Sequence, residues 1–349
     1  ATATLLTMAL AGNVQAAEIR SVGPDGEAAV DASTIELTDD QIAQIKEGGY
    51  TAAICLHYGG NDWSTSQQKG LEDTFGELGI EIVAVTDANF SAETQVSNIE
   101  TVMAKKPDIL VSIPTDATAT ADAYKQAAAA GIKIVFMDQR ADGLEAGKDY
   151  VSVVSADNYG NGYASGTVLG DALGGKGKVA MVYYDANFAP TNQRDEGFRD
   201  AMKNYPDIEI VTEQGFTDES GCAEQGDAIL TQFPNIDGIY ASWDVPMEGV
   251  LSAVRAAGME GKVTLACNDL GNNVAREIAS GNIAGGGAQM PYDQGVAEAK
   301  LAALALLGEE TPSYVAVPAE TVTHENVLEA YTDVYHVETP DWLKEAYVE

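Results

Sequence analysis

Nine short apolar runs, rich in Val and Ile, recur along this chain, and Ala-rich helical sequence lies between them. The runs cover residues 51–58, 80–86, 108–114, 132–138, 150–156, 178–184, 208–213, 237–242 and 263–268. A strand that is buried on both faces reads as a continuous apolar run, and strands alternating with helices join in parallel. Nine or more such strands are too many for one core in 349 residues, so the pattern predicts two doubly wound α/β lobes built on parallel sheets.

The charge narrows the partners. Nineteen Lys and Arg against 54 Asp and Glu give a formal net charge of −35. Nucleic acid and anionic membrane surfaces both require a basic patch, so neither is expected as a partner. The first 16 residues are uncharged, small and apolar, and end in Val14-Gln15-Ala16. Small residues at −3 and −1 after a short apolar run mark a signal-peptidase site, so residues 1–16 read as a signal peptide truncated at its start. The run is too short to span a bilayer. Export to the periplasm as a soluble protein, with no direct membrane insertion, is the expectation.

The three cysteines, Cys55, Cys222 and Cys267, are an odd number with no metal-ligand spacing. Cys55 and Cys267 lie in strand-like runs and read as small core residues, and Cys222 lies at a polar helix start. No metal site, cofactor or catalytic thiol is expected. Gly170–Gly177 approaches a phosphate-binding loop, but Gly177 replaces the metal-binding hydroxyl and the segment precedes a strand. It reads as a helix end and turn. Gly160 and Gly162 with Gly166 have the wrong spacing for a dinucleotide fingerprint. Gly285-Gly286-Gly287 reads as a close backbone approach where the chain passes between lobes. His57, His324 and His336 are scattered, and for His57 a ligand contact and a structural role weigh equally.

In open parallel sheets, ligands bind beyond the carboxyl ends of the strands. Here those ends carry Asn61-Asp62-Trp63, Asp138-Gln139-Arg140, Phe188, Phe216-Thr217, Trp243-Asp244 and Asn268-Asp269. An aromatic face packs on the C–H face of a sugar ring. Carboxylates, amides and Arg hydrogen-bond its hydroxyls. The set suits a neutral polyhydroxylated ligand. For any single Asp or Asn in it, a cap on the next helix is the favoured reading, but capping is no explanation for Trp63 or Trp243.

With these residues in order, the sequence resembles the type I periplasmic sugar-binding proteins, the ribose/galactose-binding family of ABC transporters. The landmarks are Asn61-x-Trp63, Pro107-Asp108 with Pro114, Gly131–Asp138, Asp157-Asn158 with Gly162, Asn192-x-Arg194 with Gly197-Phe198, Trp243-Asp244, and Gly287-Ala288-Gln289 with Pro291. The resemblance covers about residues 50–318. It implies two lobes joined by a hinge of three crossings, with the ligand between them. Residues 50–156 plus 291–318 are then the N-terminal lobe and 158–288 the C-terminal lobe. Residues 18–49 and 319–349 are extensions, the latter docked on the outside. The resemblance also implies that Asn61, Asp138, Gln139, Asn192, Thr217, Asp269 and Gln289 hold hydroxyls while Trp63 and Trp243 face the ring. Ser64 stands where a second aromatic is usual, Gln139 and Asn192 where Arg is usual, and Trp243 where Asn is usual. These departures weaken a specific expectation of ribose.

The function implied is a monomeric receptor that delivers a sugar or polyol to an ABC permease, without enzymatic activity. A sensor of the same fold for a furanosyl signal or other small polar compound is the alternative. A LacI-like regulator core would need a basic helix-turn-helix at its start, where this chain is apolar and then acidic. A two-carboxylate sugar hydrolase could be drawn from Asp138, Asp244 and Asp269, but no motif orders them for catalysis.

Overall fold

The computed structural model describes residues 18–348. The expected signal segment, residues 1–16, lies outside them. Among the described residues, no helix is long and apolar enough to cross a membrane.

Two sheets form the molecule. The first contains β1 (Val30–Asp31), β2 (Thr51–Leu56), β3 (Glu81–Asp87), β4 (Ile109–Ser112), β5 (Lys133–Met137), β6 (Ser152–Ala156) and β12 (Tyr314–Val317). Their order is β1-β12-β6-β5-β4-β2-β3, and every pairing is parallel. The second contains β7 (Lys176–Tyr184), β8 (Asp207–Phe216), β9 (Gly238–Ala241), β10 (Thr264–Cys267), β11 (Gly285–Ala288) and β13 (Glu320–Thr323). Its order is β13-β11-β10-β9-β7-β8, parallel except that β13 runs antiparallel to β11.

Both sheets are covered on both faces, as continuous apolar strands require. On the first sheet, Leu71 and Phe75 of α2 (Asp62–Glu77) and Leu301 of α10 (Pro291–Leu306) pack one face. Ile99 of α3 (Ala92–Ala104) and Tyr124 of α4 (Ala121–Ala129) pack the other. On the second sheet, Leu169 of α5 (Asn158–Ala172) and Phe198 of α6 (Ala189–Met202) pack one face. The opposite face carries Ile229 of α7 (Cys222–Gln232), Val250 of α8 (Asp244–Ala256) and Ile278 of α9 (Asn272–Ala279). The chain passes between the sheets at 157, 289–290 and 318–319.

Each terminal extension touches both halves. Near the N-terminus, the Asp157 carboxylate at the first crossing accepts from the backbone of Arg20 and from both Ser21 N–H and Ser21 hydroxyl. The segment then reaches the first half, where Asp25 pairs with Arg140, before α1 (Asp39–Gly48) opens with a Thr38/Gln41 capping box. At the other end, α11 (Val327–Tyr335) and α12 (Asp341–Ala346) bury Val327, Val334 and Leu343 in the core around α9. His336, just past α11, reaches Asp293 of α10.

Four strands carry no signal that separates them from loop. β1 is two residues long, and β12 and β13 are short and follow a Gly- and Pro-containing stretch. Gly285–Gly287, expected as backbone at a crossing, instead forms β11 inside the second sheet. Glycine has no intrinsic β preference; packing demands it here, because a Cβ on Gly286 would lie 1.7 Å from the Cys267 carbonyl oxygen. The Gly162 signal has a similar cause, since α5 and α6 cross so closely that a Cβ there would meet the Arg194 carbonyl. Gly174 and Gly175 end α5 with positive φ before β7. All three cysteines are free and buried, including Cys222, which opens α7 with its thiol in the second core.

Candidate ligand-binding cleft

The carboxyl ends of both sheets face each other across a cleft of about 490 Å³, open mouth included. From the first half, β2 leads into His57 and Tyr58. Asn61 then caps α2, its Oδ1 accepting the Ser64 N–H at 2.8 Å. This cap aims Trp63, in the first turn, at the cleft. β5 ends in Asp138, which adopts a left-handed φ of 54°. Its Oδ1 accepts from Ser155 Oγ at 3.0 Å and from the Ala156 N–H at 3.2 Å. The second half supplies Tyr184 at the end of β7 and Phe188 after it, Arg194 from α6, Trp243 and Asp244 after β9, and Asp269 after β10. Asp269 also has a left-handed φ, 70°.

A continuous polar chain links these groups. Trp63 Nε1 donates to Gln289 Oε1 at 3.1 Å, and Gln289 Nε2 donates to Asp269 Oδ1 at 2.6 Å. Arg194 Nη1 donates to Asp269 Oδ2 at 3.3 Å, and its Nε donates to Asn158 Oδ1 at 2.9 Å. Asn158 Nδ2 reaches Asp138 at 3.4 Å. The chain therefore starts on the first half, runs through the second and returns. Its second member, Gln289, sits at the second crossing.

The walls are aromatic. His57 stacks on Phe188 with ring centroids 5.6 Å apart, and Tyr58 stacks on Phe90 at 4.1 Å. Trp243 meets Tyr184 edge-on at 5.6 Å. Burial pushes the His57 pKa down to about 3, so the imidazole is neutral. Burial raises the Asp138 and Asp269 carboxyls, partly offset by Arg194. Asp244 is raised furthest, by burial and then by the neighbouring Asp269 charge. Two buried polar atoms at the cavity, His57 Nδ1 and Asn61 Nδ2, have no protein partner, while the Trp243 indole N–H is turned to Glu219, outside the cavity lining. Among the described residues, no cluster of His, Cys, Asp and Glu could hold a metal ion.

Of the residues singled out in the sequence, Asn61, Trp63, Asp138, Phe188, Arg194, Trp243, Asp244, Asp269 and Gln289 line the cavity. Seven others do not. Asp62 turns out of it and bonds Asn272 of α9. Gln139 is spent on backbone, donating to the Pro114 carbonyl and accepting from the Ala189 N–H. Arg140 points away and is forked onto Asp25, at 2.6 and 2.7 Å. Asn192 and Thr217 are exposed. Phe216 packs behind Trp243, ring centroids 5.1 Å apart. Asn268 is buried below the floor, bonded to Ser165, Tyr240 and the Ser242 carbonyl. Tyr58, Phe90, Tyr184 and Thr191 line the cavity without having been singled out. Tyr58 and Tyr184 were findable, since each lies at the end of a strand run. Phe90 reaches the wall through a left-handed φ of 60°, which leaves no trace in the sequence.

Comparison with known proteins places this architecture. The periplasmic binding protein domain family matches residues 52–310. The D-ribose/D-allose-binding protein of Pseudomonas aeruginosa is 29% identical over 273 residues, covering 75% of this chain and 83% of that protein. The ribose import binding protein of Salmonella typhimurium is 24% identical over 272 residues, covering 78% and 90%. Among solved structures, an ABC transporter periplasmic solute binding protein from Actinobacillus succinogenes with bound D-allose superposes with a TM-score of 0.73. It is 29% identical, with 80% of this chain and 99% of that chain covered. One from Agrobacterium vitis bound with α-D-tagatopyranose gives 0.76 at 26% identity, covering 84% and 100%. The chain belongs to the type I periplasmic binding protein family, among the ribose- and allose-binding relatives. It is a solute-binding protein of the ABC-transporter class.

Proposed function

We propose that this protein is an exported receptor that captures a sugar or polyol in the cleft and presents it to an ABC permease. The observation that carries this reading is the chain Trp63–Gln289–Asp269–Arg194. It ties one half to the other at the cleft floor and leaves ring faces and unpartnered polar atoms around a space of small-molecule size. A ligand gripped from both sides favours the arrangement in which both sets of contacts exist, and only that differential affinity shifts the equilibrium. The permease then distinguishes the closed receptor from the open one. Asn61, Trp63, Asp138, Arg194, Trp243, Asp269 and Gln289 are the proposed contacts. A thermal-shift screen of monosaccharides and polyols, followed by calorimetry on the hits, tests this. Saturable binding of at least one member with a compaction seen by small-angle scattering is expected. A complete panel without a hit overturns it.

A further inference from the structure

The charge of the cleft does not balance. Three carboxylates, Asp138, Asp244 and Asp269, face it against one guanidinium, Arg194. Arg140, the second cation the sequence placed there, is on the far side with Asp25. Arg194 is itself committed within the protein, donating to Asn158, to the Ser242 carbonyl and to Asp269. His57 is neutral. Counting formal charges, the walls carry minus three and plus one.

These groups are deeply buried. Asp138 is 8% exposed and Asp244 is 7% exposed. Removing an ionised carboxylate from water costs several kcal/mol unless it is paired. Asp269 has partners for both oxygens, but Asp244 accepts only from the adjacent Val245 N–H, and it faces Asp269. A neutral sugar supplies hydroxyl donors and no charge, so closure over it leaves two carboxylates uncompensated or forces them to take up protons. A cation solves the same problem directly. The rings support it, because Trp63, Tyr58, Tyr184 and Trp243 surround the space and an ammonium is attracted to aromatic faces.

We propose that the ligand of this cleft carries a protonated amine on a polyhydroxylated skeleton, an amino sugar or amino polyol, with its ammonium held at Asp244 and Asp269 beside Trp63. This rests on the sugar-or-polyol reading above and narrows its ligand class. Asp138 and Asn61 remain for the hydroxyls, and the aromatic pairs for the C–H faces.

Matched pairs test this at about pH 6.5. D-glucosamine, D-galactosamine and D-mannosamine are each measured against the neutral parent hexose, and tris(hydroxymethyl)aminomethane against pentaerythritol. The readouts are the melting-temperature rise and calorimetric affinity. At least one amine is expected to bind about tenfold or more tighter than its neutral partner, a difference of about 1.4 kcal/mol. Asp244→Asn keeps the shape and removes one charge, and is expected to lose most of that advantage. Neutral partners binding as tightly as the amines overturn the amine assignment and leave the sugar reading standing. No binding by either member of any pair overturns the amine assignment, and the sugar-or-polyol reading is then decided by the complete monosaccharide and polyol panel. An amine preference that survives intact in Asp244→Asn overturns the placement of the ammonium.

Discussion

Asp62, in the first turn of α2, caps α9 of the opposite half. Its Oδ2 accepts the Asn272 backbone N–H at 2.8 Å and its Oδ1 accepts the Asn272 side-chain amide at 3.0 Å. The local N-cap residue, Gly271, has no side chain to offer, so the cap comes from across the cleft. A side-chain cap is worth about 1 kcal/mol. Here it exists only while the two halves are in contact, so it weights the closed arrangement. Asp62→Ala is expected to weaken ligand affinity about fivefold. Calorimetry measures that fall, and an unchanged affinity would show that the cross-cleft cap adds nothing to closure.

The two tryptophans are expected to respond differently. Trp63 is half-buried and hydrogen-bonded to Gln289. Trp63→Ala should cost about 2 kcal/mol in binding with little loss of stability. Trp243 is 7% exposed and packed into the second core beside Phe216. Its truncation should also cost about 3–5 kcal/mol of folding stability. Denaturant unfolding beside calorimetry separates the two effects. Equal stability losses in both variants would contradict the assignment of Trp63 to the cleft and of Trp243 to cleft and core together.

The two-lobe α/β architecture was legible because parallel strands buried on both faces leave continuous apolar runs, and all nine runs contain a strand. Trp63 and Trp243 were legible because capping does not account for a tryptophan at a strand end. Arg140 was not, because nothing local to it shows that its partner is Asp25, more than a hundred residues away in sequence. Phe216 illustrates the same limit. It is the last residue of β8, but its side chain faces the core side of Trp243, and one step of the pleat decides which. β11 was hidden because its three glycines answer to close packing, Gly285 against β13, Gly286 against β10 and Gly287 against α5, not to strand propensity.

Stability should carry a signature of Asp195, a buried acid of α6 outside the cleft. Burial raises its pKa from 3.8 to about 6, against hydrogen bonds from Ser242 and Tyr240 that lower it. The unfolded carboxyl titrates near 4, so between about pH 4 and 6 the folded state holds more protons. Asp195 therefore costs nothing below that window, costs progressively more as pH rises through it, and carries its full penalty of about 3 kcal/mol above it. Asp195→Asn removes the titration while keeping an acceptor for Ser242. Urea unfolding from pH 4 to 7 is expected to show the variant gaining on the parent protein by up to that amount. A pH-independent difference would place the folded pKa close to its ordinary value.

Asp269 is the junction of the cleft, taking Gln289 on one oxygen and Arg194 on the other. A carboxylate two residues before Gly271 could instead have capped α9, but that cap is made by Asp62, and Asp269 makes no bond to the helix start. Asp269→Ala leaves Arg194 buried without its counter-charge and frees Gln289 from the position that orients Trp63. Stability falls for the first reason and affinity for the second. A buried polar group without its partner costs about 1–3 kcal/mol, equivalent to about one to two decades in affinity. Asp269→Asn keeps an oxygen for Gln289 and should lose less affinity than Asp269→Ala. Calorimetric titration of the folded fraction of each variant, with scattering to follow compaction at increasing ligand, gives both quantities. The expected order of affinity is parent, then Asn, then Ala, with the compaction midpoint moving to higher ligand in the same order. If folded Asp269→Ala binds as tightly as the parent and compacts at the same ligand concentration, Asp269 is not part of the grip between the two halves.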